Sequence, residues 1–180
     1  MRRSYSDEAI VLARRNFSEA DRILSVFSKG HGRITLIAKG VRRPSSRKRG
    51  HIEVFNRIKF QAEKGRGMGM MTEAEIIDSF ESIRKDLKRV ALAYYFMEVI
   101  GRTIHEEEKN MELYDLLLKY LENLKEEKKL YSLRKNFVYQ VLTIQGFWPK
   151  GKPLASPDTK LEEVIERQLG SARVGKKLVI

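Results

Sequence analysis

The chain has 180 residues, of which 42% are hydrophobic, enough to bury a real core as one ordinary domain or two small ones. Its 36 lysines and arginines against 24 acids leave a formal charge of +12, which favours a polyanionic partner such as nucleic acid or an anionic membrane surface. Cysteine is absent, which excludes a disulfide framework, a thiol nucleophile and cysteine-ligated zinc, and fits a reducing compartment with the cytoplasm as the default.

The charge is uneven. Residues 1–80 carry 17 basic and 9 acidic side chains, so most of the excess belongs to the first half. The longest apolar run, VALAYYFM before Glu98, is too short to span a bilayer, and MRRSYSDEAIV has no apolar signal core. The expectation is a protein without a membrane segment.

Five short runs in the first half read as strands: EAIVLARR (8–15), DRILSVFS (21–28), RITLIAK (33–39), HIEVFNRIKFQAE (51–63) and MGMMTEAEII after the turn KGRG. In the fourth, Ile58, Phe60 and Ala62 alternate with Arg57, Lys59 and Gln61, the period of two that buries one face of a sheet. Five strands with no intervening helix predict a small barrel such as an OB-fold; an SH3-like barrel and a sandwich fragment are the alternatives.

From Ser79 the period changes to that of a helix. A first helix over about 82–104 is apolar nearly all round between Val90 and Ile100 and is expected at the centre. A second starts after Asn110, with Leu113, Leu116, Leu117, Tyr120, Leu121 and Leu124 on one face; a third runs from about Lys129 and stops at Gly146 and Pro149. KGKPLASPD reads as a loop, followed by a short helix LEEVIERQLG and the basic end SARVGKKLVI. The predicted class is therefore α+β, a barrel over residues 1–80 followed by a helical domain over 81–180.

Between the third and fourth strands, KGVRRPSSRKRGH places Lys39, Arg42, Arg43, Arg47, Lys48 and Arg49 together with no acid among them. Isolated basic runs are usually solvated loops, but on a barrel of this kind the arginine forks, with Ser45 and Ser46 beside them, suit phosphate oxygens. Arg14, Arg15 and Arg33, at predicted strand ends, extend the patch or are simple edge charges.

Other motifs are weaker. GRGMGM has glycines but no following helix and no Gly-Lys-Ser/Thr, so it reads as a strand turn. His31, His51 and His105 lack metal-ligand spacing, and no cofactor or metal is expected. Glu106, Glu107 and Glu108 read as a charged helix end, and Tyr94, Tyr95 and Phe96 as core. No paired carboxylates or activated nucleophile can be assembled, so an enzyme is disfavoured.

The order of these residues resembles the RecO family, the bacterial recombination mediators of the RecFOR pathway. The resemblance is carried by EAIVLARRNFSEADRILSVFSKGHGRITLIAKGVRRPSSR, by GHIEVFNRIKFQAEKGRGMGMMTEAEIIDSFESIRKDL, by YYFMEVIGRTIHEEEKNMELYDLLLKYLENL and by QGFWP, most of residues 8–149. It implies an N-terminal OB-fold on a helical domain and no catalytic activity. It also implies binding of single- and double-stranded DNA, annealing of complementary strands, and work with RecR and single-stranded-DNA-binding protein to load RecA, in the cytoplasm at the nucleoid. The family's basic surface would correspond to the run from Lys39 to Arg49.

The family's usual four-cysteine zinc module after QGFWP is missing, and the last twenty residues still resemble the family's C-terminal helix and basic end, which implies an internal deletion after Pro149 and a reduced helical domain. The resemblance further implies that the acidic C-terminal tail of single-stranded-DNA-binding protein docks on the helical domain, where Arg84, Lys85, Lys88, Arg89 and Arg102 are the candidate cations. Charge and barrel alone also fit an RNA-binding or ribosome-associated protein.

Overall fold

A computed structural model describes residues 4–65 and 67–165. Five strands, β1 (Ser4–Phe17), β2 (Asp21–Ser28), β3 (Gly32–Ala38), β4 (Arg57–Glu63) and β5 (Gly69–Asp78), close in the order β1-β2-β3-β5-β4. The long β1 makes closure possible because it is shared. Its first half pairs antiparallel with β4 from Ser4↔Glu63 to Ile10↔Arg57, and its second half pairs with β2 out to Phe17↔Asp21, with a register shift between Val11 and Ala13. A short parallel contact, Leu36↔Gly69 and Ile37↔Met70, joins β3 to β5. This is the OB-fold arrangement, and it removes the SH3-like and sandwich alternatives.

Alternate residues fill the interior: Ala9 and Val11 from β1, Leu24 and Val26 from β2, Leu36 and Ala38 from β3, and Ile58, Phe60 and Ala62 from β4, all buried together. The predicted fourth strand is too long at its start. Residues 51–56 form turns, with Phe55 in the left-handed region at φ 58° and fully buried, and Asn56 buried beside it. The side-chain amide of Asn56 donates to the carbonyls of His51 (2.9 Å) and Gly50 (3.4 Å), so polar bonding inside the turn replaces a ladder.

The helical part comprises α1 (Glu81–Arg84), α2 (Leu87–Thr103), α3 (Met111–Leu124), α4 (Leu130–Ile144) and α5 (Pro157–Ile165). The expected first helix is split. Asp86 caps α2, its Oδ1 accepting from the backbone N–H of Lys88 at 2.8 Å, and this fixes the start at Leu87. Phe96 of α2, Tyr120 of α3 and Phe137 of α4 meet in one cluster, with centroids 4.1 Å apart for Phe96 and Phe137 and 5.2 Å for Tyr120 and Phe137. Tyr95 and Phe96 are core as expected. Tyr94 is not, being 43% exposed, because three consecutive residues cannot all face one side of a helix. Gly146, at φ 78°, ends α4 where the sequence placed the stop. α5 begins four residues before the expected LEEVIERQLG segment; the rest of that segment and the basic end lie outside the described residues.

The chain divides into two compact units: residues 1–80 with Ile104–Asn110, and Glu81–Thr103 with the residues from Met111 onward. The segment containing Glu106, Glu107 and Glu108 therefore does not continue α2, which stops at Thr103. It belongs with the barrel.

Candidate nucleic-acid interface

The basic loop is short of regular structure and yet firmly seated. Val41 and Ile52 near its two ends are both 0% exposed and join the barrel core. Between them the backbone steps through turns, with N–H groups of Arg43, Ser46, Arg49 and His51 donating to the carbonyls of Gly40, Arg43, Ser46 and Lys48. The base is pinned as well: the Gly40 N–H donates to Asp21 Oδ1 at 2.7 Å, and the His51 Nδ1 lies 2.6 Å from the Ala74 carbonyl.

The six cations of the loop divide into two kinds. Arg42 donates through Nη1 to the Ser18 carbonyl at 3.1 Å, and the Lys48 ammonium donates to the Thr72 carbonyl at 3.1 Å, so both help to hold the loop. Lys39, Arg43, Arg47 and Arg49 are exposed.

Arg14 stands near this loop, its Nη1 2.5 Å from Glu53 Oε1. Arg22, which nothing in the sequence singled out, stands beside it with a buried Nη1 that has no hydrogen-bond partner. Burial first, and then the charge of Arg14 with those of Arg42 and Arg49 behind it, holds the Arg22 guanidinium below its ordinary pKa; Glu53 alone opposes them. The cluster repels itself, and an anion would relieve it.

Arg15 and Arg33 lie elsewhere. Neighbours in a strand point to opposite sides, and Arg15 lines a groove of about 760 Å³ together with Arg33, Lys64, Lys109, Tyr5 and His31. The glycine-rich turn joining β4 to β5 forms one wall. In the groove the Tyr5 and His31 rings lie 4.6 Å apart at 46°. Asp7 holds His31: its Oδ2 is 2.7 Å from His31 Nδ1, accepts from the Gly30 N–H at 2.9 Å, and also accepts from the Ser28 hydroxyl. By sequence His31 reads as a turn or surface residue, because its partner is 24 positions away, beyond the reach of any local pattern.

On the helical unit the candidate cations are mostly engaged with near neighbours. Lys85 lies 3.5 Å from Glu81 and Arg102 2.8 Å from Glu98, while Arg89 contacts Asp86 and donates to the Leu124 carbonyl. Arg84 is half-buried and Lys88 exposed. The unforeseen cation is Arg134, 3% exposed, which donates to Asp158 Oδ2 at 3.0 Å. Among the described residues no cluster of His, Cys, Asp and Glu could hold a metal ion, and no helix is long and apolar enough to cross a membrane.

Two family descriptions match the sequence, Recombination protein O N terminal over residues 1–80 and Recombination protein O C terminal over residues 84–152. The chain belongs to the RecO family. It is 35% identical to the DNA repair protein RecO of Pelotomaculum thermopropionicum over 81% of this chain and 56% of that one, and 35% identical to the protein of that name from Desulforudis audaxviator over 82% and 59%. With its counterpart from Geobacter metallireducens the identity is 32% over 92% of this chain and 68% of that one. The chain thus spans little more than half the length of the first two relatives. The boundary between the two RecO matches falls where the barrel gives way to α1.

Proposed function

We propose that this RecO-family chain is a non-enzymatic DNA-binding mediator of repair and recombination. It binds single- and double-stranded DNA through the barrel, the loop from Lys39 to Arg49 and the adjoining Arg14 and Arg22 gripping phosphates. The observation that carries the reading is the seated loop: Val41 and Ile52 fix its ends while Arg43, Arg47 and Arg49 project from it, so little ordering cost opposes phosphate binding. Arg15 and Arg33 would meet a strand in the groove.

Annealing of complementary strands follows from the same charge. Lysines and arginines that neutralise phosphates lower the repulsion between two strands, a step that consumes no nucleotide. RecR, the acidic tail of single-stranded-DNA-binding protein and, indirectly, RecA are the partners the family reading supplies. For the tail, Lys88 is the first candidate, exposed on α2, since local acids engage Lys85, Arg89 and Arg102.

The test is strand annealing by the full chain without ATP and in EDTA, beside a competition between DNA and RNA of one sequence. Annealing under those conditions with DNA preferred is the expected result. Dependence on ATP or metal would overturn the mechanism, and preference for RNA would favour an RNA-binding barrel instead.

A further inference from the structure

The barrel has an open edge that a piece of chain outside its five strands closes. β3 pairs with β5 only at Leu36 and Ile37, which leaves Arg33–Thr35 without a strand on that side. Glu106 forms a parallel bridge with Arg33, the Glu107 N–H donates to the Arg33 carbonyl at 2.8 Å, and the Thr35 hydroxyl donates to Glu106 Oε1 at 3.1 Å. Capping an edge needs only backbone. The residues that do it here are three consecutive glutamates.

Their placement is costly. Glu107 sits in the left-handed region at φ 60°, which a side chain disfavours, and Glu108 passes so close to β3 that a Cβ on Gly32 would lie 2.2 Å from its carbonyl oxygen. The backbone thus holds Glu106 and Glu107 in the wall of the groove, facing the space shared with Arg15, Arg33, Lys64 and Lys109. The charge of Glu107 also reaches the Tyr5 hydroxyl, whose pKa is raised by burial first and then by Asp7 and Glu107.

We infer that the segment 105–108 is a built-in competitor for the groove: the carboxylates of Glu106 and Glu107 stand beside the groove's cations where the phosphates of a single strand would lie, and weaken strand binding there. The inference rests on the reading of the barrel as a DNA-binding unit and adds a restraint to it. The backbone bridge to Arg33 keeps the edge covered whether or not a strand is bound; the side chains alone impose the restraint.

The experiment measures the affinity of a labelled oligothymidylate at low salt by fluorescence anisotropy. Four full-length forms are compared: wild type, Glu106→Gln with Glu107→Gln, Asp115→Asn with Glu126→Gln, and Arg43→Ala with Arg47→Ala and Arg49→Ala. Glutamine keeps the acceptor for Thr35, so the first variant should retain the wild-type melting temperature. It should bind about five-fold more tightly, from the loss of two repulsive charges near phosphate. The second variant changes net charge equally at exposed positions of α3 and the turn after it, and should differ from wild type by less than about two-fold.

Equal tightening in both acid variants, or none in the first, overturns the competitor while leaving DNA binding intact, provided the arginine variant is weakened. No binding by any form, or binding unaffected by loss of the three arginines, overturns the reading of the barrel that the inference rests on.

Discussion

His31 Nδ1 lies 2.7 Å from Asp7 Oδ2, across the junction of β1 with the turn between β2 and β3. Burial works to raise the pKa of Asp7, but hydrogen bonds from Ser28, His31 and the backbone N–H groups of Glu8 and Gly30 outweigh it and hold the carboxyl below its ordinary 3.8. A carboxyl depressed in the folded state adds stability that is fully present above the unfolded value and is lost as pH falls through the folded one. Asp7→Asn should therefore cost about 2 kcal/mol at neutral pH. In urea melts repeated at falling pH, the gap between variant and wild type should begin to close below about pH 4. A gap unchanged down to strongly acid pH would show that the charge of Asp7 is not what holds this corner.

Gly32 admits no side chain. Its φ of 71° is unfavourable for any other residue, and the Glu108 carbonyl occupies the space of a Cβ. Gly32→Ala should lower stability by at least about 2 kcal/mol, read from the midpoint of chemical unfolding. Gly50, at which a Cβ meets nothing within 4 Å, serves as the comparison, and Gly50→Ala should change stability little.

On the helical unit Asp158 joins α5 to its neighbours, accepting from Arg134 at 3.0 Å and from the Tyr95 hydroxyl at 2.7 Å. Arg134 keeps Nε and Nη1 buried without partners, so loss of the single carboxylate leaves an uncompensated charge. Asp158→Ala should cost about 3–5 kcal/mol, whereas Arg134→Met combined with Asp158→Leu should cost far less than the sum of the single changes. An additive cycle would show that the pair does not act as a unit.

The loop's two kinds of arginine should separate in experiment. Arg43→Ala with Arg47→Ala and Arg49→Ala should leave the melting temperature nearly unchanged and flatten the dependence of DNA affinity on salt, by about 0.7 per lost contact for single strands and 0.9 for duplex. Arg42→Ala removes a bond to the Ser18 carbonyl and should also lower stability by about 1 kcal/mol. An unchanged salt slope in the triple variant would reject the loop as the phosphate-binding element.

The strands and helices were legible where the period was long. Ile58, Phe60 and Ala62 alternate in sequence as in the barrel, and Leu113, Leu117, Leu121 and Leu124 line one buried face of α3. Boundaries set by single side chains were not: Asp86 starts α2 well inside the expected helix, and Asn56 turns the start of the expected fourth strand. The basic loop announced itself by composition, but its division into holding and projecting cations depends on carbonyls far away in sequence, such as Thr72 for Lys48. Glu106 and Glu107 were least legible. Their pairing with β3 spans more than seventy residues, and a run of glutamates after an apolar helix has the composition of an ordinary helix end.

Because β1 lends one half of itself to β2 and the other to β4, the two ends of that strand do not acquire their neighbours together. Ala9–Phe17 pairs with Asp21–Ser28, the next strand in the chain, while Ser4–Ile10 pairs with residues 57–63 and the open side of β3 with residues 106–107. Pairings at such separation are slow relative to local ones. The Ser4–Ile10 half of β1 thus depends on contacts of much longer range than the other half, so one strand joins a local hairpin to the long-range closure of the barrel.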